Sequence, residues 1–200
     1  QVAAACDIPI LFGMRRAKDW ALQEQLESLR PGDVVTYCYR RQPHCIVSQG
    51  QVLPEIQAAR DRGILFDLGH GAASFDFDVA QTAIAKGFTP DTISTDLQRR
   101  HLDMAPRHTL PRTMSKLKAA GMQETDILTA VSQTPASVMR VFPQTGCLKP
   151  GTTADLAILK WSEFPETLED ASGNLRFAHT WSAIATIRNG RVIHPPSRPD

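Results

Sequence analysis

The sequence contains no apolar run approaching the roughly 18 to 20 residues that a membrane-spanning helix needs. It also opens with no basic-then-apolar leader. Its four cysteines, Cys6, Cys38, Cys45 and Cys147, form no Cys-x-x-Cys pair, which favours reduced thiols over a disulfide framework in a chain of this size. Neither sign of charge dominates: 22 Lys and Arg stand against 21 Asp and Glu, for a net charge of +1. That balance argues against a nucleic-acid-binding surface as the main task. There is no low-complexity tract and no repeat of the solenoid kind. These absences lead us to expect a cytoplasmic protein with neither membrane nor nucleic acid as partner.

The chain has 200 residues, 42% hydrophobic and 22% charged, an ordinary composition for a globular chain with one large domain or one domain and a small appendage. It begins with Gln1 and runs straight into the apolar stretch 2–6, so part of a longer or trimmed chain is expected. Short apolar runs alternate with helical stretches through the first two-thirds. Strands are expected at 8–12, 33–39, 64–68 and 92–96, with helices at 18–30, 54–62 and 77–86 and a loop at 44–53. Strands about 25 to 35 residues apart with helices between them are the repeat of a parallel sheet. Three helices follow, at 110–120 (capped by Thr109), 126–133 and 135–142. A β tail closes the chain, with strands at 154–159, 183–188 and 191–194 and a hairpin turn at Asn189-Gly190.

In parallel α/β architectures functional groups collect where strands end. Asp96 ends the fourth strand, where a carboxylate is costly unless it is paired, hydrogen-bonded or bound to metal; the plainer alternative is a cap or a salt bridge to Arg99 or Arg100. His70 stands between Gly69 and Gly71, which allow close approach of backbone or ligand; its plainer role is to cap a turn. Tyr37 and Cys38 alternate in a strand, and Cys38 reads as a small hydrophobe. His44-Cys45 alone do not make a metal site. His101, His108, His179 and His194 read as surface residues, and Arg40-Arg41 and Arg99-Arg100 as solvated or anion-facing loops.

The run GILFDLGHGAASFDFDVAQTAIAKGFTPDTISTDL, then LPRTMSKLKAAGM, a Pro-Ala-Ser helix and CLKPGTTADLAIL, resembles the amidohydrolase superfamily, and within it the dihydroorotase-like amidohydrolase/deacetylase metallohydrolases. The resemblance runs from Ile8 to about Val192. It implies a partial (β/α)8 TIM barrel, strands five to eight, over 1–145, and over 146–200 a β tail belonging to a composite β-sandwich. It further implies hydrolysis of an amide or ester bond in a small N-acyl or O-acyl substrate, with divalent metal, usually zinc, as cofactor. Asp96 matches the aspartate that binds metal and acts as base, and His70 a histidine that either faces the substrate or supports the residues that do. The sequence departs from the family where metal-binding histidines stand on the fifth and sixth strands: those positions fall at Gly13 and Tyr37. A histidine commonly following the aspartate falls at Gln98, and the HxH pair and the carboxylated lysine would lie upstream of Gln1. The metal site of this chain is therefore incomplete, with one metal held by upstream ligands and Asp96, or none. The alternative is a catalytically inactive member serving as a binding or assembly partner. The other half of the barrel, or a second copy of the chain, is the expected partner.

Overall fold

Strands form where β-branched and aromatic residues run together, and they stop where glycine or proline interrupts them. The computed structural model describes residues 2–15, 17, 19–103, 109–140 and 145–193. The first half contains α1 (Val2–Ala5), β1 (Leu11–Gly13), α2 (Leu22–Glu27), β2 (Val34–Thr36), β3 (Val47–Ser48), β4 (Gln51–Val52), α3 (Pro54–Asp61), β5 (Leu65–Phe66) and α4 (Phe77–Ala85). After a 3-10 turn at Arg99–His101 come α5 (Leu110–Ala119), α6 (Glu124–Val131) and α7 (Gln133–Met139). The chain then forms β6 (Leu156–Trp161), β7 (Glu166–Glu169), β8 (Leu175–Ala178), β9 (Trp181–Arg188) and β10 (Arg191–Ile193).

The sheet that positions the site is parallel, in the order β1-β2-β5. Its next segment pairs through a single bridge, Asp67 with Thr92. Beyond that bridge the amides of Leu68, His70 and Gly71 donate to the carbonyls of Thr92, Ser94 and Thr95. The regular strand expected at 92–96 is thus a run of carbonyl acceptors, and it ends where Asp96 turns into the left-handed region at φ 46°. The expected loop at 44–53 contains the β3–β4 hairpin. Its two turn residues, Gln49 and Gly50, both have positive φ, the twist that suits a two-residue hairpin.

Helix α2 is shorter than the leucine spacing suggested, and Lys18 lies outside the described residues. Asp33 holds the chain beyond the helix end, accepting from the amide and the guanidinium of Arg30. Asp76 caps α4 by accepting from the amides of Asp78 and Val79, and Thr109 caps α5 as expected. The helices expected at 126–133 and 135–142 begin two residues earlier, at Glu124 and Gln133; Phe142 lies outside the described residues. No helix among the described residues is long and apolar enough to cross a membrane.

The tail sheet runs β10-β9-β6, with Asn189-Gly190 at the expected turn; His194 lies outside the described residues. The β7–β8 hairpin was not expected; its strands are held in register from Glu166↔Ala178 to Glu169↔Leu175. The tail packs onto the helices: the Trp181 amide donates to Ser115 Oγ at 2.8 Å, and Arg112 pairs with Glu166 at 2.8 Å. Leu168 and Trp181 belong to the same buried cluster as Phe66, Phe75 and Phe77.

Candidate active site

A cleft of about 610 Å³ opens at the carboxyl ends of β1, β2 and the 92–95 segment. Gly13, Tyr37 and Asp96 line it together, so the sheet gathers three of the four residues singled out from the sequence. Asp96 is half-buried. Its Oδ2 lies 3.4 Å from the Tyr37 hydroxyl and its Oδ1 3.5 Å from Gln98 Nε2. Both contacts are long for hydrogen bonds, which leaves the carboxylate able to engage a ligand. Burial and the Asp96 charge push the Tyr37 phenol above its usual value, so it stays protonated at neutral pH and acts as a donor.

His70 does not line this cleft among the described residues; it stands behind the wall. Its Nδ1 contacts the Gly71 carbonyl at 2.6 Å, its Nε2 meets Lys116 Nζ at 2.9 Å, and its ring stacks on Phe75. The lysine donates to Nε2, so the proton of a neutral ring belongs on Nδ1. The His70 segment still borders the site through its backbone, since a Cβ on Gly71 would lie 3.0 Å from Asp96 Oδ2. Burial lowers Lys116 to about 8, and the neighbouring Arg112 adds to the effect.

Sequence reasoning missed Asp67. This buried carboxylate accepts from the hydroxyls of Thr36 at 2.6 Å, Thr92 at 2.8 Å and Ser94 at 2.6 Å. It ties three neighbouring strand ends together, and hydroxyls on successive strands were its only signal. Two expectations are corrected. His101 is buried at 3% exposure and lines the cleft, because the 3-10 turn folds it back. Its imidazole faces the Gln98 amide at 3.3 Å and Arg100 Nε at 3.1 Å, of which a neutral ring can accept only one. Arg40 is buried at 2% exposure, with its guanidinium donating to the carbonyls of Met14 and Pro43.

Other candidates hold to their plainer roles. Arg41 is exposed and pairs with Asp76. Arg99 and Arg100 are exposed, and no ion pair to Asp96 is found among the described residues. Cys38 is fully buried, and burial pushes its thiol well up, as for a small hydrophobe. His44 Nε2 contacts the Ala17 carbonyl, and His179 is exposed. His108 lies outside the described residues.

No model of a protein family matches the chain. Among curated proteins it is 34% identical over 189 residues to a deacetylase of Enterococcus faecalis, a match covering 93% of this chain and 51% of that protein. It is 36% identical over 153 residues to Deacetylase Atu3266 of Agrobacterium fabrum, covering 76% of this chain and 37% of that protein. Among solved structures, a crystal structure of an adenine deaminase matches with a TM-score of 0.90 at 32% identity, over 98% of this chain and 54% of that one. The chain belongs to the amidohydrolase superfamily. A dihydroorotase, at a TM-score of 0.84 and 29% identity, covers 96% of this amidohydrolase chain and 52% of its own. The chain thus spans about half the length of those structures, and between 37% and 51% of the two curated relatives.

In an amidohydrolase a divalent metal is expected at this cleft. The residues present do not fit one. Gly13 offers no side chain, and Tyr37 offers a phenol held in its protonated form, a poor ligand. Among the described residues no three His, Cys, Asp or Glu side chains stand together as a metal cluster. Asp96 is a single donor where a catalytic zinc takes about three protein ligands.

Proposed function

We propose that this amidohydrolase chain supplies strands five to eight, the carboxy-terminal half, of a deacetylase-type hydrolase barrel, and acts on the amide or ester bond of a small N-acyl or O-acyl substrate. One observation carries the reading: the Asp96 carboxylate stands at the carboxyl ends of parallel strands, in a cleft of about 610 Å³. As general base it takes the proton of a water attacking the acyl carbon, then returns it to the departing amine or alcohol. The Tyr37 hydroxyl beside it donates a hydrogen bond to an oxygen of the bound substrate. Further chain, or a second copy, completes the barrel.

The test is hydrolysis of N-acyl amino acids and acyl esters by the whole protein. Asp96→Asn is expected to lower turnover by roughly 100-fold or more, the scale of general-base catalysis. Unchanged turnover removes Asp96 from any mechanism. Gly13 and Tyr37 favour a second reading, a member that keeps the fold and the ligand cleft but not catalysis. Its mark is a ligand-dependent rise in melting temperature without turnover.

A further inference from the structure

Tyr37 stands in a slot between two glycines. A Cβ on Gly13 would lie 2.9 Å from Cε2 of the ring, and a Cβ on Gly69 2.7 Å from Cδ1. Those separations are shorter than carbon atoms accept, so a side chain at either position would displace the ring. Because the glycines press on opposite edges of the ring, a shift away from one leads into the other. A Cβ on Gly69 would also collide with the Thr36 hydroxyl.

The backbone is constrained as well. Tyr37 has φ 76° and Asp96 φ 46°, both left-handed. Non-glycine residues keep that conformation only where their surroundings enforce it, and such sites cluster where function is built. The two residues that face each other across the cleft floor both carry this constraint, and the phenol hydroxyl ends 3.4 Å from the carboxylate. Catalytic and binding contacts are often this long before a ligand closes them.

We propose that Gly13, Gly69 and Tyr37 form one unit, a glycine slot that seats a phenol beside the Asp96 carboxylate, and that this seat occupies the place where a metal ion would need donors at positions 13 and 37. Gly13 and Tyr37 are then one coupled replacement and not two separate losses. The absence of a side chain at 13 is what admits the ring, and the ring fills the room that absence leaves. The inference rests on reading this cleft as the ligand site, and it stands whether or not the cleft is catalytic.

Two measurements on the whole protein test it. In the first, Gly13→Ala is made in the wild type, in Tyr37→Phe, which keeps the ring, and in Tyr37→Ser, which removes it. Gly13→Ala is expected to lower the melting temperature by roughly 3 °C or more in the first two backgrounds and by less than about 1 °C in the third. An equal loss in all three overturns the slot. In the second, zinc chloride is titrated by calorimetry. The wild type and Asp96→Asn are expected to take up the same amount of zinc, and the double variant Gly13→His/Tyr37→His to gain one ion per chain that Asp96→Asn abolishes. Zinc held by the wild type and lost in Asp96→Asn overturns the proposal, as does a folded double variant that gains none. If the double variant does not fold, the alanine series decides. Acyl-substrate turnover is a separate readout: its absence counts against the proposed hydrolase activity and leaves the slot intact, whereas an additive alanine series refutes the slot and leaves the activity untouched.

Discussion

Lys116 is 6% exposed and faces His70 Nε2 at 2.9 Å, with Arg112, Glu169 and Asp170 as the charged groups acting on it. Its folded value of about 8 lies below the unfolded value of about 10.4. Between those two pH values the unfolded chain holds a proton that the folded chain has released. The contribution of Lys116 to stability therefore rises with pH across that window, by at most about 1.4 kcal/mol per pH unit. Chemical denaturation from pH 8 to 10.5 is expected to show this rise in the wild type relative to Lys116→Met. Parallel curves for the two proteins would show that Lys116 keeps its ordinary value. None of this was visible in the sequence, where Lys116 is one lysine in an amphipathic helix. Asp96 was visible, because a carboxylate at the end of an apolar strand is conspicuous wherever it occurs. Gly13 and Tyr37 stood at strand ends in the sequence, but only the family resemblance gave those positions a metal-binding meaning. What couples them, the seating of a ring between Gly13 and Gly69, depends on strands that meet only in the fold.

At the scale of elements, Asp170 joins pieces that are far apart in sequence. Its carboxylate accepts from the amide of Phe77, an otherwise unpaired donor in the first turn of α4, at 2.7 Å. It also accepts from the amides of Ser172 and Asn174, both at 2.8 Å, which close the turn between β7 and β8. Burial works to raise the Asp170 carboxyl, but these hydrogen bonds outweigh it and hold the group below its usual range. Asp170→Ala would leave those donors without their acceptor and is expected to cost about 1–3 kcal/mol, measured by urea denaturation. A loss within error would mean that water satisfies the turn. In the wild type the contribution of Asp170 is present above the unfolded carboxyl value and is lost as pH falls through the folded one. Most helices were legible because caps and breakers act locally: Thr109 before α5 and Pro54 at the start of α3 behave as their residue types dictate. The β7–β8 hairpin was not, because what holds it is Asp170 and the helices beneath it, not a run of β-forming residues.

At the scale of the molecule, β1 lies at the edge of the parallel sheet among the described strands. Leu11 in β1 is 69% exposed and Ile8, just before it, 55%. On the tail, Phe164 and Phe177 are exposed by 73% and 74%. Unpaired edges and apolar faces of this kind seek partners. The 200-residue chain expressed by itself is expected to self-associate in size-exclusion chromatography. A stable, soluble monomer would show that these surfaces are tolerated as they stand, and would count against the need for a completing partner.

Local residue preferences were enough to set the alternation of short strands with helices, the Thr109 cap, the two-residue turn at Asn189-Gly190 and the carboxylate at Asp96. Each follows from the backbone preferences of a residue and its near neighbours along the chain. Which side chains share the cleft was set by the packing of the fold. It buried Arg40 and His101, turned His70 towards Lys116, gathered three hydroxyls on Asp67 and closed two glycines around Tyr37. These contacts join strand ends and loops remote in sequence, so their energies depend on distances that exist only once the parallel sheet has brought those segments together.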